Sequence, residues 1–308
     1  MTEAFESLLP GFVRTWVETM PGVRLAVSRH PGGRAKPGLL LLHGHPQTQA
    51  MWHQIAPAML RTHDVVLMDL RGYGDSSRPP DGEAHAGYSK RAMAQDALAV
   101  MHAAGHVRFA VCAHDRGARV AHRLAVDHPD AVARLMLLDI APTLGMYEHT
   151  SMAFAQAYWH WFFFIQPAPL PEALLMRDPV GHLRRLMGSR HGGLGVFHPA
   201  ALAEYERCIQ LPDTLHAICE DYRASAGIDL VHDREDVAAG RKLTQPLRVL
   251  WAEHGAVNRC FYVLALWAER ADQVTGRTLP CGHYLAEERP DDVLAEMADF
   301  FNDSKGLS

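Results

Sequence analysis

Cysteine is scarce. The five present, Cys112, Cys208, Cys219, Cys260 and Cys281, are an odd number without metal-ligand spacing, which excludes a disulfide or zinc framework and leaves them as free thiols. An excess of one charge is missing as well: Lys and Arg total 30 against 35 Asp and Glu, so there is no basic stripe for nucleic acid. No apolar run approaches a membrane span, and the chain starts with Glu3 and Glu6 where a secretory leader would carry a basic region before an apolar one. A cytoplasmic protein with no membrane partner is the expectation. Repeats, linkers and low-complexity tracts are also absent, so the 308 residues, 48% hydrophobic, read as one large core with room for an insertion.

What is present is an alternation of short apolar runs with helical stretches, the mark of the α/β class. Residues 22–28 predict an edge strand, and 39–42, four consecutive leucines, a strand buried on both faces. A helix over 51–60, a strand over 65–69 and a helix over 90–104 ending at Gly105 follow. The next strand runs straight into a helix that Pro129 ends, and 135–139 is a further buried strand. From Pro142 to about Arg241 no strand pattern is visible, which predicts an inserted helical cap. A strand over 247–252, a helix over 259–269, a strand over 274–279 and a last helix over 290–302 complete the core. The expected division is core 1–141, cap 142–241 and core again 242–308, with a mostly parallel sheet flanked by helices.

The chemistry centres on Asp115. Ala113 and Gly117 flank it at two positions either side, the spacing of a nucleophile elbow, where strand meets helix too closely for bulky neighbours. An acid at a helix start ordinarily serves as a cap; the small flanks and Arg116 point instead to a presented carboxylate. A carboxylate nucleophile suits displacement at saturated carbon rather than attack on a carbonyl. Asp139 ends a buried strand and His283 follows the last one, so the order nucleophile, acid, histidine is that of the α/β-hydrolases. Glu253, after the strand over 247–252, is a rival for the acid. The backbone N–H groups of His45 and Arg116 are the oxyanion candidates. Arg116 and Arg119, three apart at the start of the helix, suit a carboxylate substrate. His43 and His45 lack a convincing third ligand, so no metal is expected.

Most of the chain, from the His43-Gly44-His45-Pro46-Gln47 loop to Gly282-His283, resembles the fluoroacetate (haloacetate) dehalogenases of the α/β-hydrolase superfamily. The family's His-Asp-Arg-Gly-x-Arg stands at His114 to Arg119 and its Leu-Asp-Ile at Leu138-Asp139-Ile140. Its cap His-Trp is His160-Trp161, followed by Gln166 to Pro169, and its Asp-Tyr-Arg-Ala is Asp221 to Ala224. The resemblance implies Asp115 as nucleophile, His283 as base, Asp139 as its partner, Arg116 and Arg119 as a carboxylate clamp, and His160, Trp161 and Tyr222 as a halide pocket. It also implies a small haloacid substrate, a homodimer and no cofactor. Ala113 departs from the more usual glycine, and His45 stands where relatives are expected to be apolar, which bears on substrate size. The competing reading is an epoxide hydrolase with Tyr222 and either Tyr158 or Tyr205 as its oxygen-activating pair. A receptor with idle machinery is a third, which the complete Asp, Asp and His set disfavours.

Overall fold

The uninterrupted apolar runs lie side by side at the centre of one eight-stranded sheet. This is seen in a computed structural model that describes residues 3–33 and 35–301. The strands are β1 (Val13–Met20), β2 (Val23–Arg29), β3 (Gly38–Leu42), β4 (Asp64–Met68), β5 (Phe109–His114), β6 (Val132–Leu138), β7 (Leu247–Ala252) and β8 (Val274–Leu279). Their order across the sheet is β1-β2-β4-β3-β5-β6-β7-β8. Every residue of β3, β4, β5 and β6 is buried, because helices cover both faces of a parallel sheet and leave no solvent side for alternation. Pairing is parallel from β4 to β8 and antiparallel where β2 meets β1 and β4.

The sheet order positions the site. Leu42 of β3 pairs with Ala113 of β5, and His114 with Leu138 of β6, so three strands end nearly flush. Their carboxyl ends release the His43–Gln47 loop, the Asp115 turn and Asp139 along one edge. Helix α1 (Lys90–Ala103) begins at a Ser89 cap whose hydroxyl accepts the Ala92 N–H, and α2 (Asp115–Asp127) starts at the elbow itself. Between β6 and β7 the described residues hold eight α-helices, from Thr143–Glu148 to Ile228–Ala238, and no strand. Three of them matter below: α3 (Trp159–Phe164), α4 (Pro199–Ile209) and α5 (Thr214–Ala226).

Four expectations need correction or trimming. Residues 22–28 do not form the edge, because β1 pairs outside them; β1 alternates exposed and enclosed positions, a half-solvated pattern easily taken for polar coil. The helix over 51–60 is a 3-10 turn, Gln49–Trp52, and a short helix, Ala56–Met59, since Pro57 has no N–H to continue the first. The helix over 259–269 breaks into Ala256–Cys260 and Val263–Ala268 at Phe261, whose backbone is extended. The last helix is Pro290–Phe301, and the expected end at Asn302 lies outside the described residues.

Candidate active site

Asp115 has φ +46, a left-handed conformation that a non-glycine residue holds only when its surroundings enforce it. The enforcement is steric. A Cβ on Gly117 would sit 2.3 Å from the His43 carbonyl oxygen, and one on Gly44 would sit 2.4 Å from the Asp115 Cβ. Only glycine lets β3, β5 and the elbow approach this closely. The turn directs the Asp115 carboxylate into a closed space where it is 4% exposed. Its Oδ1 accepts the His45 backbone N–H at 3.0 Å. Its Oδ2 lies 3.8 Å from the His283 Nε2.

His283 Nδ1 donates to Asp139 Oδ2 at 2.6 Å, while Asp139 Oδ1 accepts the Ala252 N–H at 2.9 Å. With its proton fixed on Nδ1, the imidazole turns a lone pair toward Asp115. Asp139 is also left-handed, at φ +51, so two strained turns aim two carboxylates at one ring. Glu253 is exposed and takes no part. His114 backs the assembly: its Nε2 donates to the His283 carbonyl at 2.8 Å, and burial pushes its pKa down to about 4, which keeps it neutral. Burial opposes a charge on Asp115. The cations around it, His283 and His114 when protonated together with Arg116 and Arg119, outweigh that and hold the carboxyl well below its usual range.

The two arginines differ. Arg116 is fully buried, and Asp221 of α5 takes its Nε at 2.8 Å and its Nη2 at 2.8 Å, with Ser225 on Nη2 at 2.5 Å. Lys90 and the Tyr73 hydroxyl also reach Asp221. Arg119 Nη1 donates to the Thr143 hydroxyl at 2.8 Å and the Ala141 carbonyl at 3.2 Å. Each keeps one buried donor free of any partner, Nη1 of Arg116 and Nε of Arg119. Arg116 stands 4.1 Å over the Tyr222 ring and Arg119 4.6 Å over Trp161.

Helix α3 brings His160 and Trp161 and α5 brings Tyr222, with the His160 and Trp161 ring centres each about 6 Å from that of Tyr222. His160 Nδ1 and Trp161 Nε1 are buried and unpartnered. Burial, with Arg190 adding to it, drives the His160 pKa well down, and burial with Asp115 drives the Tyr222 hydroxyl well up, so both stay neutral donors. His45 fills the wall between Phe164, Tyr222 and His160; burial pushes its pKa to about 3, and neither ring nitrogen has a partner. Asp115, His283, Asp139, His45, Arg116, Arg119, His160, Trp161 and Tyr222 are therefore brought together, while Glu253 stays outside.

Sequence reasoning missed several neighbours. Asp221 carried a motif but no role, although an acid beside Tyr222 was the available sign that Arg116 has a permanent partner. Tyr147, whose unpartnered hydroxyl belongs to a ring 5.2 Å from Trp161, gave no signal, since one tyrosine in a helical stretch is usually packing. Side chains close enough to hold a cation lie elsewhere among the described residues, as Asp81, His85 and Glu220 and as Glu172, His216 and Glu220. In the second group Arg223 already occupies both carboxylates. Among the described residues no helix is long and apolar enough to cross a membrane.

The chain is similar to known proteins over most of its length. Residues 37–290 match the family model of the α/β hydrolase fold. A fluoroacetate dehalogenase from Burkholderia sp is 40% identical over 274 residues, 89% of this chain and 90% of its own. A soluble epoxide hydrolase from Corynebacterium sp. (strain C12) is 32% identical over 268 residues, 85% of this chain and 89% of its own. A solved structure from Nostoc sp PCC 7120, assigned to the α/β hydrolases, is 49% identical and superposes with a TM-score of 0.90 over 95% of this chain and 98% of its own. The protein is a hydrolase, and the chain belongs to the fluoroacetate dehalogenase family of the α/β-hydrolase superfamily.

Proposed function

We propose that this hydrolase converts fluoroacetate and other short 2-haloacids to 2-hydroxy acids and halide through an aspartyl ester. The observation that carries the reading is the set of buried, unpartnered donors on the side chains gathered around the elbow: Arg116 Nη1, Arg119 Nε, His160 Nδ1 and Trp161 Nε1. Buried donors without acceptors are costly unless a ligand supplies the acceptors. Two guanidiniums suit a carboxylate, and the neutral donors suit a small departing anion.

Asp115 Oδ2 attacks the halogen-bearing carbon, and the carbon–halogen electron pair leaves with the halide toward His160, Trp161 and Tyr222. The substrate carboxylate rests between Arg116 and Arg119. Oδ1 is already on the His45 N–H, so it becomes the ester carbonyl oxygen in place for the second step. A water then loses a proton to His283 Nε2 and adds to the ester carbon, with the Arg116 N–H as second oxyanion donor. Collapse expels the alkoxide of the hydroxy acid, which takes the proton back from His283, and the Asp115 carboxylic acid left behind loses the second water proton to solvent to become a carboxylate again. Asp139 orients the ring and stabilises its charged form throughout. No cofactor enters this sequence. The cap boundaries 142–241 and a homodimeric assembly belong to the same proposal.

The epoxide reading draws on Tyr147, whose free hydroxyl offers a partner to Tyr222. Tyr205 donates instead to Glu287 at 3.1 Å, and Tyr158 lies beneath Arg190, which leaves neither as well placed. A neutral epoxide gains nothing from the two guanidiniums. Halide release from fluoro-, chloro- and bromoacetate, with an epoxide as control, is the deciding experiment. Halide from the haloacids is expected; epoxide opening without halide release replaces this reading with the rival one.

A further inference from the structure

The chamber is closed, with Asp115 at 4% and His283 at 5% exposure, yet a cleft of 440 Å³ reaches it from the His283 side. The cleft wall is basic. Arg190, Arg259, His191 and His254 line it beside Tyr158 and His283, and no carboxylate does. Arg190 and Arg259 are ion-paired to no acid among the described residues, and Arg190 Nε is buried without a hydrogen-bond partner. The exposed His191 and His254 rings meet at a tilt with centres 4.1 Å apart. At the inner end, the Arg190 guanidinium sits 4.9 Å from the Tyr158 ring, which in turn lies 5.4 Å from His160. Arg190 thus stands between solvent and the halide side of the chamber.

A carboxylate approaching an ionised Asp115 is repelled, and a cation on the route offsets that field while raising the local anion concentration. We propose that this cleft is a second anion-binding site, an antechamber in which Arg190 holds the carboxylate of a small monocarboxylic acid as it passes to or from Arg116 and Arg119. The inference rests on those two arginines being the carboxylate clamp. Arg259 and the two histidines contribute the outer field, and Arg190 makes the contact.

Trp159 lines the same cleft and is 47% exposed, so its fluorescence reports ions there without any turnover. Taken as the difference between the full protein and Trp159→Phe, iodide should quench it more strongly than neutral acrylamide, and acetate should suppress the excess. Arg190→Gln should lower the iodide quenching constant several-fold, and Arg259→Gln, an exposed change that disturbs no packing, should do the same in smaller measure. In turnover of chloroacetate, Arg190→Gln should raise KM about tenfold with kcat within about twofold, and flatten the fall of kcat/KM with added salt. Arg190→Lys should restore most of the loss. If iodide quenching and the salt slope are intact in both glutamine variants, or if Arg190→Gln lowers kcat with KM unchanged, the antechamber is refuted. Quenching that responds as expected in a protein releasing no halide would retain the anion site while refuting the dehalogenase reading.

Discussion

Gly44→Ala isolates the close approach on which the elbow depends. Gly44 has an ordinary backbone conformation, so alanine is permitted there and only the added methyl acts. That methyl would lie 2.4 Å from Asp115 Cβ, 2.9 Å from its Oδ1 and 3.0 Å from the His114 carbonyl oxygen. Carbon atoms in contact sit at about 3.5–4.0 Å, so the elbow or the β3 loop must retreat by roughly 1 Å. Overpacking of this kind costs about 1–3 kcal/mol of stability. The retreat also stretches the His45 N–H contact to Oδ1, now 3.0 Å, and takes Oδ2 off line. A displacement of about 1 Å at a reacting atom is worth on the order of 10²-fold in rate. The assay is kcat for halide release from chloroacetate beside a thermal melt, with Gly195→Ala as control, since a Cβ there meets nothing within 4 Å. The control should be neutral in both measurements. Full activity in Gly44→Ala would refute the argument that contact between β3 and the elbow sets the nucleophile.

The ester predicts that a single turnover in heavy-oxygen water gives unlabelled hydroxy acid, its new oxygen coming from Asp115; label in the product would mean direct attack by water. His283→Asn should form the ester and fail to break it, and mass spectrometry of the intact protein reads the adduct. Haloacetamides should be poor substrates and Arg119→Lys should weaken haloacetate turnover, because an ammonium cannot replace a fork that already binds Thr143 and Ala141. Trp161→Phe should depress fluoroacetate turnover by about 10²-fold and chloroacetate turnover less, since fluoride concentrates its charge; equal losses would mean that Trp161 only packs. Burial raises the Glu287 carboxyl from 4.5 to about 8, with Gln47 and Tyr205 hydrogen-bonded to it. The folded state then holds a proton the unfolded state has lost, so this group's contribution is present below about pH 4.5 and declines as pH rises through about 8. Glu287→Gln should match the wild-type melting temperature near pH 5 and exceed it at pH 9.

Local chemistry by itself determined much of this protein. Runs such as Leu39 to Leu42 read as strands buried on both faces, because four consecutive large apolar side chains leave no polar face for solvent. Ala113 and Gly117 around Asp115 were equally legible, since the elbow is a contact between residues adjacent in sequence. The resemblance carried His160, Trp161 and Tyr222, which periodicity could not have separated from packing aromatics. Tertiary structure decided what depends on partners far along the chain. It chose Asp139 over Glu253, because strand order, not sequence, sets which acid meets His283 across β7. It tied Arg116 to Asp221, 105 positions away, and so divided an apparently equivalent arginine pair into one anchored fork and one lighter one. It also gathered Arg190, His191, His254 and Arg259 into one basic cleft, from two segments whose charges look like ordinary surface until the fold brings them side by side.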